Sequence, residues 1–176
     1  MSEEILAREQ RRESAQEPDV LRAVFEGSYR RLVVQLYAVT GDSVEAEDLV
    51  QDAFVRAAAA GRRFLNVENP EAWLRTAAIN LHRNRWRKLR NFNRVRPRLE
   101  VAPPDLPGLE EHVTVIESLR QLPSSQREVL ALHYLADLPV AQVSELLGVA
   151  EGTVKSRLMR GREALAALLS EEESHE

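Results

Sequence analysis

Residues 140–165 read VAQVSELLGVAEGTVKSRLMRGREAL, and the fold class turns on how that stretch is parsed. Val143, Leu146 and Leu147 sit at helical spacing and predict a short amphipathic helix. Gly148-Val149 follows as a turn, because Gly takes a positive φ without strain. Beyond it, Val154, Leu158, Gly161, Leu165 and Leu168 follow spacings of 4, 3, 4 and 3 residues, which makes one buried stripe on a long helix. Gly161 within that stripe lets a neighbouring helix come close, at a propensity cost of roughly 1 kcal/mol. Opposite the stripe lie Gly152, Ser156, Met159, Arg160 and Glu163, flanked by Lys155, Arg157 and Arg162. Short helix, Gly turn and longer basic helix make a helix-turn-helix, whose second helix enters the DNA major groove. A core helix with a solvated basic front would explain the two faces, but not the turn and the helix before it.

Working outward, the 176 residues leave room for one ordinary domain or two small ones. Cys is absent, which rules out disulfides and thiolate metal sites and fits a reducing compartment. No run of about 18 apolar residues occurs, and MSEEILAREQRRESAQEPD has no apolar core of signal-peptide length. A soluble, cytoplasmic protein without membrane insertion is expected. The net charge of −4 conceals a strong pattern. Trp73 to Arg98 holds nine basic residues and no acidic one, whereas Leu99 to Ser118 holds five acidic and no basic ones. Residues 151–163 are again net positive. Basic blocks separated by acid point to nucleic-acid contact more than a uniform mixture would.

The remaining periodic stretches are helical as well. Leu21, Phe25, Leu32 and Leu36 share a face. Asp42, with Glu45 three residues on, predicts a helix start, and Gly61 a helix end after Ala60. GRRFLNVEN is a loop. Asn69-Pro70 opens the next helix, with Asn as cap and Pro at its first position, and Pro97 limits that helix. PRLEVAPPDLPGLEEH, residues 97–112, contains four of the eight prolines and reads as a flexible acidic linker. Val113 onward supplies four more helices. The expected fold is all-α, with two small helical domains at 19–96 and 113–170. Residues 1–18 form a disordered extension and 171–176 an acidic tail.

These stretches resemble a known family. LPSSQREVLALHYLADLPVAQVSELLGVAEGTVKSRLMRGREAL is similar to region 4 of bacterial RNA polymerase sigma factors of the extracytoplasmic-function (ECF) group. Ser144 stands where that family usually has Ala, Ala150 where Ser commonly caps the recognition helix, and Gly161 where Ala is usual. GDSVEAEDLVQDAFVRAA resembles region 2.2, and NPEAWLRTAAINLHRNRWRK resembles regions 2.3 and 2.4. The GTVKSR string alone also fits LuxR-type regulators, which would bind duplex DNA as free-standing dimers but leave residues 20–96 unexplained. An enzyme built on the carboxylates of residues 42–52 is a further class. Its support is poor: the four His are scattered, and neither a phosphate loop nor a nucleophile motif is present.

The resemblance implies a protein that binds core RNA polymerase, through its β′ clamp helices and β flap, and directs it to promoter DNA. No catalytic residue, metal or cofactor is then expected. Thr153, Lys155, Ser156, Arg157, Met159, Arg160 and Arg162 would contact the −35 element, the first, fourth and last of these favouring phosphates. Phe64, Asn80, Arg83, Arg87 and Lys88 would contact the −10 element. There a base flipped from the duplex enters a pocket made by Asn80 and the loop from Phe64 to Asn69. Asn80 also fits an ordinary polar helix position. Trp73 reads as core, sharing a face with Ala77 and Leu81, with base stacking as the alternative. Trp86 and Phe92 interleave with cations as in single-strand binders. Asp48, Gln51, Asp52 and Val55 would dock on polymerase; a solvated acidic face or a metal site are the alternatives. An anti-sigma factor is a common partner in the family.

Overall fold

The computed structural model describes residues 2–91 and 113–173, with side chains described for 19–88 and 114–170. All regular structure among these residues is helical. Helix α1 spans Ser2–Thr40, α2 Ser43–Ala60, α3 Arg62–Leu65 and α4 Pro70–Asn91. After the undescribed stretch come α5 (Val113–Gln121), α6 (Ser124–Leu130), α7 (Val140–Leu147) and α8 (Glu151–Glu173). Between α6 and α7 the chain continues as a π-helical turn, Ala131–Leu135. The expected linker at 97–112, Phe92 and residues 174–176 lie outside the described residues.

The capping chemistry sets the boundaries. Asp42 accepts the Glu45 N–H at 3.0 Å and starts α2. The Gly61 N–H closes that helix on the carbonyls of Ala57 and Ala58. Asn69 accepts the Ala72 N–H at 3.0 Å, so Pro70 enters α4 where no N–H is needed. Leu32, Leu36, Leu49, Val50, Leu74 and Ile79 then fill the space between α1, α2 and α4. Two differences from expectation appear in this half. Residues 62–65, expected as loop, form the short α3. The backbone of α1 also runs back to Ser2, through residues expected as a disordered extension. Residues 2–17 contain no Gly or Pro and are rich in Glu, Arg, Gln and Ala, which favours helix.

In the C-terminal half, Ile116, Val129, Leu132, Val143, Val154 and Leu158 are buried together. Gly148, at φ 62°, ends α7 in the left-handed conformation, its N–H bonded to the carbonyls of Ser144 and Glu145. Gly161 does what its place in the buried stripe predicts: a Cβ there would lie 2.9 Å from Leu130 Cδ1 of α6. The π turn shifts the hydrogen-bond register, with the Ala136 N–H on the Ala131 carbonyl at 3.1 Å.

The two bundles pack against each other, and their buried residues form one continuous core. The end of α1 is the centre of this junction. Arg127 of α6, 3% exposed, donates from Nε to the Val39 carbonyl and from Nη2 to the Thr40 carbonyl, both at 3.0 Å. Arg120 of α5 donates from Nε to the Gly41 carbonyl at 3.0 Å. These carbonyls lack partners within a helix, and the cations also meet the negative end of the α1 dipole. Gln35 reaches the Leu135 carbonyl at 3.2 Å, and the Tyr37 hydroxyl donates to Glu117 at 2.7 Å.

Candidate nucleic-acid interface

Helix α8 presents its expected reading side chains unevenly. Val154 and Leu158 point into the core, which leaves Lys155, Met159, Arg160 and Arg162 exposed. Met159 is 48% exposed, a large value for an apolar side chain on a well-packed helix. Lys155 lies 3.9 Å from Glu151, with both groups in solvent. Such a pair is weak and leaves the ammonium available. Thr153 and Ser156 are half-buried, and the Ser156 hydroxyl donates to the Thr153 carbonyl at 3.0 Å. Arg162 contacts the hydroxyl of Tyr134 at 3.4 Å. Tyr134 is exposed beside α8 at the π turn; it carries no signal in sequence, because the turn that presents it leaves no mark in composition.

The turn before α8 is fastened from an unexpected side. The Ser144 hydroxyl donates to the Val149 carbonyl at 2.6 Å, and the Val149 N–H returns to the Ser144 carbonyl at 3.2 Å. Ala150 contributes only its carbonyl, which accepts from Thr153 and Val154.

On α4, Asn80, Trp86, Arg87 and Lys88 are exposed. Arg87 bonds the side chain of Asn84. Phe64 departs from its expected place at the wall of a base pocket. It is 2% exposed and meets the Trp73 ring edge-on at 5.2 Å. Residues 62–65 coil into α3 and turn Phe64 inward, so it supports the loop from beneath. Trp73 packs against the core as expected. Arg83 faces the other bundle: its Nη1 donates to the Leu146 carbonyl at 2.8 Å. A cleft of about 440 Å³ lies between α4 and α7, lined by Thr76, Asn80, Arg83, Gln142, Glu145 and Leu146.

The acidic face of α2 has a partner on α4. Arg85 donates to Asp48 at 3.2 Å and to Asp52 at 2.7 Å, and both carboxylates keep about half of their side chains in solvent, 63% and 47%. Gln51 and Val55 are exposed beside them, Val55 at 67%. Glu45 is turned away, its Oε1 3.0 Å from Nδ1 of the buried His82. The four expected docking residues are therefore together, on one face.

Two further groups carry shifted electrostatics. Glu71 bonds Arg31 at 2.9 Å, which holds its carboxyl below the usual range. Glu128 lies at the junction of the bundles, where burial raises its carboxyl pKa against the opposing pull of His82, Arg127, Arg157 and Arg83. Among the described residues no helix is long and apolar enough to cross a membrane.

Comparison with known proteins bears on these surfaces. A family described as "Sigma-70 region 2" matches residues 24–92, and "Sigma-70, region 4" matches residues 112–165. The chain is 31% identical to the ECF RNA polymerase sigma factor SigW of Bacillus subtilis, over 78% of this chain and 82% of that one. It is 34% identical to the ECF RNA polymerase sigma factor EcfG of Rhodopseudomonas palustris, over 86% and 83%. A similar solved structure is the sigma factor RpoE of Bartonella quintana, in complex with the anti-sigma factor NepR. That likeness has a TM-score of 0.55 at 26% identity and covers 89% of this chain and 96% of that one.

Proposed function

The chain belongs to the ECF group of RNA polymerase sigma factors, and on that premise we propose how its surfaces divide the work of initiation. A sigma factor binds core RNA polymerase, directs it to particular promoters and helps to melt them. It is an initiation factor, and the polymerase carries out the phosphoryl transfer.

The −35 element is read by α8, with Lys155, Met159 and Arg160 meeting base edges and Ser156 beside them. Thr153, Arg157 and Arg162 meet phosphates. The −10 strand is held by α4 through Asn80, Arg83, Arg87 and Lys88, above a wall that Phe64 supports. Asp48, Gln51, Asp52 and Val55 dock on the β′ clamp helices, and the C-terminal bundle meets the β flap. An anti-sigma factor is a partner, as NepR is for the RpoE relative. The protein acts in the cytoplasm.

The observation that carries this division is the exposure of Lys155, Met159 and Arg160 on a helix anchored by Val154 and Leu158 after a left-handed turn at Gly148. A free-standing LuxR-like regulator is not favoured, because it gives residues 24–92 no task. Run-off transcription with reconstituted holoenzyme on a genomic promoter library tests the proposal. Lys155→Ala with Arg160→Ala is expected to lower −35-dependent transcription by about 5-fold or more, the loss of one to two base contacts. Undiminished transcription would remove both residues from the reader.

A further inference from the structure

We propose that Tyr134 is a phosphate-binding residue of the promoter reader, its phenol and the Arg162 guanidinium together gripping one backbone phosphate of the −35 duplex. This rests on the promoter-recognition reading and adds to it a contact from outside the recognition helix.

The pair is arranged for an anion. Arg162 donates from Nη1 to the Tyr134 oxygen at 3.4 Å. Tyr134 is the acceptor of that bond, so its own O–H remains to be donated. Among the described residues that O–H has no acceptor, and no carboxylate pairs with Arg162. Lys155, Arg85 and Arg31, by contrast, have carboxylates beside them. A phenol and a guanidinium side by side offer several donors and no negative group, which suits a phosphate oxygen. The bond between them is long for N–H···O, so it yields readily to two bonds on one phosphate.

Tyr134 is 54% exposed, yet its ring is fixed. It stands on the π turn Ala131–Leu135, a distortion that favours functional sites. The His133 ring meets it edge-on at 4.8 Å. His133 is itself tied by Nδ1 to the Leu138 carbonyl at 2.7 Å; a carbonyl only accepts, so that nitrogen carries the proton. Asp137 completes the turn at φ 53°, a conformation uncommon outside glycine.

The location fits the task. Lys155, Met159 and Arg162 follow spacings of 4 and 3 residues and so form one flank of α8. Tyr134 stands at the Arg162 end of that flank. A recognition helix contacts bases with its N-terminal turns, and its later turns pass the backbone that lines the groove. The flank therefore leads from bases at Met159 to phosphate at Arg162 and Tyr134.

Reconstituted holoenzyme and a −35 duplex, taken from a promoter that the run-off library yields, test the grip. Each phosphate is replaced in turn by a neutral methylphosphonate and the affinity measured. Tyr134→Phe removes only the hydroxyl and should weaken binding to the unmodified duplex by about 3-fold or more, equally on variant −35 sequences. It should blunt the methylphosphonate penalty at one phosphate, the same one at which Arg162→Ala blunts it. Arg162→Ala should also lower the salt slope by about one, whereas Tyr134→Phe leaves it alone because it removes no charge. A penalty profile unchanged by Tyr134→Phe, or changed at a different phosphate from that of Arg162→Ala, overturns the grip. A second measurement needs no variant. Of the three Tyr only Tyr134 is exposed, and its nitration, mapped by mass spectrometry, should slow when holoenzyme binds the duplex. Equal nitration with and without DNA overturns the grip as well. Should Lys155→Ala with Arg160→Ala leave binding intact, the promoter-recognition reading of α8 fails instead; should they weaken it, that reading stands whatever Tyr134 does.

Discussion

Ser144 and Ala150 depart together from what the family usually places there, and the structure gives the pair a common logic. A capping hydroxyl at Ala150 would satisfy one free N–H at the start of α8, worth about 1 kcal/mol. The Ser144 hydroxyl instead ties the preceding carbonyl, that of Val149, to α7 at 2.6 Å, a bond of about the same worth. The turn is thus fixed from the helix before it rather than from the helix it starts. Ala150→Ser should stabilise the protein by about 1 kcal/mol. Ser144→Ala should destabilise it by about 1 kcal/mol. Urea unfolding followed by circular dichroism measures both, and no gain from Ala150→Ser would mean that the first turn of α8 has no N–H left to cap.

At the scale of the elements, α2 and α4 are joined across their polar faces by Arg85 with Asp48 and Asp52. These groups are well exposed, so each pair adds at most about 1 kcal/mol to stability. Asp52→Asn should therefore leave the melting temperature almost unchanged while weakening core polymerase binding by about 5-fold or more. Co-sedimentation beside a thermal melt separates the two effects, and unaltered binding would take Asp52 out of the docking face. Most element boundaries were legible in sequence, because their causes are local. Asp42, Gly61, Asn69-Pro70 and Gly148 act on the backbone within a few residues of themselves. The acidic and basic faces followed from helical spacing. The π turn at Ala131–Leu135 was not legible, since a shift of hydrogen-bond register requires no particular residue. The inward turn of Phe64 depends on Trp73, nine residues away, and α3 is too short for a period to show. The junction of the bundles was illegible for another reason. Arg120 and Arg127 bind carbonyls at the end of α1, and Gln35 of α1 binds that of Leu135; every residue possesses a carbonyl, so nothing in the sequence marks these as targets.

For the whole molecule, the Tyr37 hydroxyl bridges the two bundles through Glu117. Burial first, and then the bond to Glu117, pushes its pKa up to about 12 from 10.0. A raised value means that the folded state favours the protonated phenol. The associated stabilisation is complete below about pH 10 and is lost as the pH rises from about 10 to about 12. The thermal midpoint should fall across that window, and one tyrosinate should form late in an absorbance titration. Tyr37→Phe should abolish the late step and flatten the fall; a late step that survives the substitution would assign it to another tyrosine.

The capping of α1 by the second bundle also orders events during synthesis. Arg127 follows Val39 by 88 residues, a gap of roughly 4–18 s at about 5–20 residues per second on the ribosome. For those seconds the end of α1 exists without the arginines that will close over it, while α2 to α4 are added behind it. Asn80 and Arg83 are uncovered, and the last carbonyls of α1 have only water to bind. The N-terminal bundle thus exposes, once in the life of every chain, the surface that the C-terminal bundle later covers.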